Sequence, residues 1–194
     1  MKLSNRQISL MGMLIALNVA IGGFVHVIKL PVFLDAIGTI VAVIMLGRLP
    51  GVIVGVLSFV VAAALVSPVY LWFIGTQAIL ALVVYEFAAR FAVFSSWSRI
   101  IPAGLVLGVV TGIVSAPVIV YAFSGVAGSG RDLITAALLS TGEQIGKAVL
   151  LSGAASEPVD KVAQMVIAFL LIRALPRRTL EPFRNPVLEK NGLI

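Results

Sequence analysis

The sequence predicts an all-α, polytopic membrane protein: six transmembrane helices plus an extra peripheral or re-entrant helix on the outer side, over about 132–152. Three observations carry this. Of the 194 residues, 60% are hydrophobic and only 11% charged, against about 25% charged in soluble domains, and the mean hydropathy is +1.14. Apolar stretches near membrane-spanning length recur along the chain, separated by breaks rich in Gly, Pro and Ser. The basic residues sit at the ends of those stretches and in the C-terminal tail rather than in one patch. A net charge of +6 therefore gives no nucleic-acid surface.

Composition excludes several chemistries. With no cysteine there is no disulfide frame, thiolate metal site or cysteine nucleophile. The single His26 excludes a multi-histidine metal cluster, so no metal and no cofactor is expected. The first apolar stretch is too long for a signal-peptide core, and no cleavable leader is expected.

The first span is read over 8–28. On it Gly12, Ala16 and Ala20 recur every fourth residue and form one small-residue stripe. In lipid such a stripe lets a second helix approach closely. It serves either packing within the chain or docking to a separate membrane subunit. Asn18 lies off the stripe and is placed to hydrogen-bond inside the bundle. An outer loop follows over 29–35, ending in Asp35. A carboxylate at the mouth of an apolar segment is costly unless paired or wet. Asp35 is thus a ligand contact, a partner of Lys29 or Lys161, or a loop-solvating acid.

The second span, 36–46, is short, and Gly38 near its start suggests close packing or a backbone contact to ligand. Residues 47–51, Gly-Arg-Leu-Pro-Gly, read as a tight cytoplasmic turn, and the third span as 52–66. Ser67-Pro68 turns the chain outside. The fourth span covers 70–89, with Tyr70 and Trp72 as interfacial aromatics. Gln77 lies one to two turns in, where an unpaired amide is expensive, and is a ligand candidate. Tyr121 is a similar candidate nearer the surface. Glu86 and Arg90 read as a structural i,i+4 pair.

The fifth span covers 100–123, with Pro117 expected to kink it. The loop SGVAGSGRD, 124–132, has neither the lysine nor the preceding strand of a phosphate loop. Segment 132–157 carries Asp132, Glu143, Lys147 and Glu157. Glu143, Gln144 and Lys147 either read a polar ligand group or form a headgroup-level surface pair. The last span is read over 158–175, entered through Asp160-Lys161, a helix-start acid and a snorkelling lysine. A basic cytoplasmic tail, 179–194, follows the single membrane domain, 1–178.

Charge asymmetry sets orientation. With six spans and 132–157 returning to the side it left, the cytoplasm holds ten basic residues: Lys2, Arg6, Arg48, Arg90, Arg99, Arg173, Arg177, Arg178, Arg184 and Lys190. The outside holds Lys29, Arg131, Lys147 and Lys161. Both termini are then cytoplasmic. A seventh full span would force the basic tail outside.

Several motifs together carry a family resemblance over about 8–178. They are the Ala16-x-x-x-Ala20 pair, the FLDAIGT stretch followed by LGRLPGVIVGVLS, and AFSGVAGSGRD with the later SEPVDKVAQMVIAFLLIRALP. The chain resembles the substrate-binding S component of an energy-coupling factor (ECF) vitamin transporter. The resemblance implies a subunit of the bacterial plasma membrane that binds a vitamin or nucleobase-like small molecule from outside. Such a subunit docks to a transmembrane coupling protein and two cytoplasmic ATPases. Carried over, Ala16 and Ala20 face the coupling protein, and the ligand sits near the outer ends of the later helices under the first loop. The chain has no Walker A motif, so ATP hydrolysis falls to partner chains and no enzyme activity is expected of this one. Three alternatives stand beside this reading: a stand-alone secondary transporter or channel, an intramembrane enzyme, and a structural or sensor subunit. The first would need to work without an evident internal repeat.

Overall fold

The computed structural model describes residues 3–194; the expectation for Lys2 lies outside the described residues. Those residues form helices and loops with no strand. The first helix, α1 (Asn5–Val27), starts at a capping box: the Gln7 amide donates to Ser4 Oγ (3.3 Å) and the Ser4 amide to Gln7 Oε1 (2.9 Å).

Helix α2 (Ile37–Leu46) is the post around which the rest packs. Every residue from Ile37 to Met45 is buried, against α1, α3 (Arg48–Leu65), α4 (Ile74–Phe91) and α7 (Ile145–Ala174). At 1.5 Å per residue it is about 15 Å long, half of a bilayer's hydrocarbon. The break before α3 is a single residue, Gly47, at φ 94°, a left-handed conformation that favours glycine. Proline 50 sits in the first turn of α3, where its missing N–H costs nothing.

Polar residues are turned inward. Asn18 ties three helices together: its Nδ2 donates to Thr39 Oγ1 (2.9 Å) and Ser58 Oγ (3.0 Å), and its Oδ1 accepts the Gly38 amide (2.6 Å). Along the middle of the long helices, exposed positions are apolar instead. On α5 (Trp97–Phe123), Leu105, Val109 and Ile113 face outward while Thr111 and Ser115 are buried. This polarity, inverted relative to a soluble bundle, suits a lipid surround. Four segments are long and apolar enough to cross a membrane: Asn5–Val27, Arg48–Leu65, Pro68–Phe91 and Trp97–Phe123.

Helices α5 and α7 form the tightest pair. Gly104, Gly108 and Gly112 recur every fourth residue on α5 and meet Val162, Pro158 and Glu157 of α7. Helix α5 runs unbroken through Pro117.

The second half departs from the sequence expectation in two places. The extra helix expected over 132–152 ends early: α6 spans Asp132–Ser140, and a turn at Thr141 and Gly142 follows. Residues 145–152 instead open α7, which continues through Pro158 for 30 residues, or about 45 Å. A proline is tolerated in such a helix where a neighbour covers the disrupted turn, and Gly108 lets α5 lie directly on Pro158. Asp160 and Lys161 are therefore mid-helix rather than at a span entrance.

The tail is ordered. Short helices α8 (Arg177–Leu180) and α9 (Pro186–Lys190) bury Leu180, Val187 and Leu188 in the main core. Asn185 Nδ2 donates to the Ile44 and Met45 carbonyls (3.1 and 2.8 Å), and Asn191 Nδ2 to the Ala88 carbonyl (2.9 Å). The tail thus satisfies the last-turn carbonyls that α2 and α4 leave open.

Candidate binding cavity

One end of the bundle is closed by two loops, 28–36 and 124–131. Helix α7 holds the first. Asp160 Oδ1 accepts the amides of Phe33 (2.8 Å) and Leu34 (2.9 Å), and Gln164 Oε1 accepts the Ala36 amide (2.9 Å). These bonds fix Leu34 at φ 50°, a conformation unfavourable for leucine. The second loop is closed by Asp132, whose carboxylate accepts the Gly128 and Ser129 amides (2.5 and 2.9 Å). The loops meet where Gly130 lies against the Lys29 and Leu30 carbonyls, a space no side chain could enter, and Lys29 Nζ donates to the Gly128 carbonyl.

Beneath them is a cavity of about 90 Å³, counted as the space open to the centres of water molecules. Phe33, Phe59, Tyr70 and Phe73 give it aromatic walls. Tyr70 packs edge-on to Phe59, with ring centroids 5.1 Å apart, and against His26 at 5.7 Å.

Its lining includes part of a buried ion network. Glu157 sits 3.4 Å from both Arg131 Nη1 and Lys161 Nζ, and its Oε2 accepts Thr111 Oγ1 at 2.9 Å. Lys161 also pairs with Asp160. Arg131, only 1% exposed, donates further to Ser152 Oγ (3.1 Å) and the Val149 carbonyl (2.5 Å). Gly153 leaves room for its guanidinium, since a Cβ there would lie 2.6 Å from Nη2. Each charge in this network has an opposite partner and hydrogen bonds, as burial requires.

Two lining groups are not so provided. Asp35 is 9% exposed, and among the described residues its carboxylate makes no ion pair and no hydrogen bond to another residue; only its own backbone amide reaches it. Gln77 is 2% exposed. Its Nε2 donates to the Asp35 carbonyl (3.1 Å), while its Oε1 is the one buried side-chain N or O atom without a partner among the described residues. Gln77 Oε1, with no partner, and the Asp35 carboxylate, with no partner on another residue, thus line the cavity.

Of the residues singled out from sequence, Asp35 and Gln77 meet here. The others lie elsewhere. Gly38 is packed under the Leu14 carbonyl of α1. Tyr121 is 88% exposed on the outside of α5. Glu143, Gln144 and Lys147 sit at the surface where α7 begins, with Lys147 2.9 Å from Glu143. Gly12, Ala16 and Ala20 lie on an exposed face of α1, with nothing within 4 Å of a Cβ at Gly12, so the stripe does not pack within the chain. Arg131, Glu157, Thr111 and Ser115 line the cavity but were not singled out. A signal existed for part of this set: Glu157, Asp160, Lys161 and Gln164 follow an i, i+3, i+4, i+7 pattern, one polar stripe on an otherwise apolar helix.

Comparison with family models, with curated proteins and with solved structures gives no match for this chain.

Proposed function

We propose that this chain is the substrate-capture subunit of an ATP-driven importer, an S component of the energy-coupling factor type in a bacterial plasma membrane. The observation that carries the reading is the roofed cavity lined by the unpartnered Gln77 Oε1 and by the Asp35 carboxylate, which has no ion-pair partner. A buried acceptor without a partner is expensive, and a bound molecule with matching donors removes that cost. The ligand class is a vitamin or nucleobase-like compound.

In this reading α1, α2 with its flanking loop, α3, α4, α5 and α7 make six crossings. The charges that make α7 a poor span by composition are buried against Arg131, Thr111 and the 28–36 loop rather than turned to lipid. The loops over the cavity face outward, and the basic end with Arg48, Arg90, Arg99 and the docked tail faces the cytoplasm. The exposed stripe of Gly12, Ala16 and Ala20 supports docking to a coupling protein, which brings two ATPases.

Co-expression with an ECF coupling protein and its two ATPases tests this. The expected result is a complex that co-purifies through this chain, and uptake of the bound compound that stops when the ATPases are inactivated. Uptake by this chain alone, driven by a proton gradient, would overturn the proposal in favour of a secondary transporter.

A further inference from the structure

The charge balance of the cavity carries the capture reading one step further. Five ionisable side chains are buried at this end: Arg131, Lys161, Glu157, Asp160 and Asp35. Arg131 and Lys161 are committed to Glu157 and Asp160 through the contacts given above. Two positive against three negative groups leave one negative charge, and it resides on the carboxylate with no partner, Asp35. At the rim, Lys29 and Asp132 offset each other, and His26 is the remaining titratable group on the α1 side.

An anionic ligand would meet cations already paired and a carboxylate that repels it. A neutral ligand would leave an ionised Asp35 without a counterion. A cation supplies that counterion directly. The walls favour the same choice, because faces of Phe and Tyr rings attract a desolvated cation.

The geometry points to a cationic ligand: a small molecule with a flat apolar body held between the aromatic walls, and a protonated nitrogen whose N–H groups donate to the Asp35 carboxylate and to Gln77 Oε1. This assignment rests on the capture reading and narrows its substrate class to amines and related nitrogen cations. Asp35 supplies the counter-charge. Gln77 supplies the second acceptor, and its own bond to the Asp35 carbonyl holds the two at a fixed spacing.

The test uses the full chain in detergent at about pH 8, above the usual carboxylate range. Three matched series each vary one charge on one ring system: tryptamine, tryptophol and indole-3-acetate; benzylamine, benzyl alcohol and benzoate; 3-aminomethylpyridine, 3-pyridylmethanol and nicotinate. Binding is read by calorimetry and by thermal stabilisation. The expected result is that the amine of at least one series binds about tenfold or more tighter than its alcohol, the range of a charge-assisted hydrogen bond. Asp35→Asn should erase that preference, weakening the amine more than the alcohol. An alcohol or acid that binds best, or an amine preference that survives in Asp35→Asn, overturns the cationic assignment and leaves the capture reading standing. Silence from all three series overturns both.

Discussion

The α5–α7 interface gives the sharpest test of the packing. Gly108→Ala adds one methyl group. A Cβ at that position would lie 2.5 Å from Pro158 N and 2.7 Å from the Glu157 carbonyl carbon. Both are backbone atoms, so no rotamer change makes room and the helices must separate. Overpacking of this kind costs about 1–3 kcal/mol. The opposing gain in helix propensity is at most about 1 kcal/mol, so the steric effect decides the sign. Glycine 12 on α1 is the control, because nothing lies within 4 Å of its Cβ and only the propensity gain applies. In a chain of this size a loss of 1 kcal/mol lowers Tm by about 2–4 °C. With a net loss of about 1–2 kcal/mol, thermal unfolding in one detergent should therefore show Gly108→Ala lower by about 2–8 °C, and Gly12→Ala unchanged or slightly raised. Equal Tm values for the two variants would refute the reasoning.

Other expectations follow from the same structure. Glu157→Gln removes the carboxylate shared by Arg131, Lys161 and Thr111. It should destabilise by about 3 kcal/mol or more, and adding Arg131→Met should recover part of that loss in a thermal melt. Asn191→Ala frees the Ala88 carbonyl and the Phe94 amide, so limited proteolysis should cut the 177–194 segment faster while the bundle stays intact. Asp35 sits in the 28–36 loop facing Lys161, Asp160 and Glu157 of α7 and Tyr70 of the 68–73 turn. Its carboxylate is buried with no ion-pair partner among the described residues, and an unpaired buried charge costs stability. Unliganded Asp35→Asn should therefore be more stable than the parent at pH 7–8, and the gap should close toward pH 4–5. A variant less stable at neutral pH would contradict an uncompensated carboxylate.

Much of the bundle was legible from sequence because lipid exposure and helix length leave a plain apolar signal. The spans read over 8–28, 52–66, 70–89 and 100–123 lie close to α1, α3, α4 and α5. Asp35 and Gln77 stood out because each is a lone polar group in apolar surroundings, where physics demands a reason. What was not legible depends on contacts between distant segments. Pro158 reads as a helix boundary unless Gly108 is known to lie on it. Arg131 reads as a solvated loop cation among glycines, yet its guanidinium reaches Ser152 and Glu157 across 21 and 26 residues. Likewise the tail reads as a loose basic segment, because capping of α2 by Asn185 spans 140 residues.

The central claim is that the cavity holds a small molecule through Asp35 and Gln77. Native mass spectrometry of the protein purified in mild detergent from cells grown in rich medium tests it most directly. The expected result is a co-purified compound at about one per chain, lost in Asp35→Ala and in Gln77→Ala while each variant stays folded, as one lost acceptor of this kind weakens binding about tenfold or more. A mass with no adduct, unchanged after addition of a panel of vitamins and nucleobases, would contradict the account.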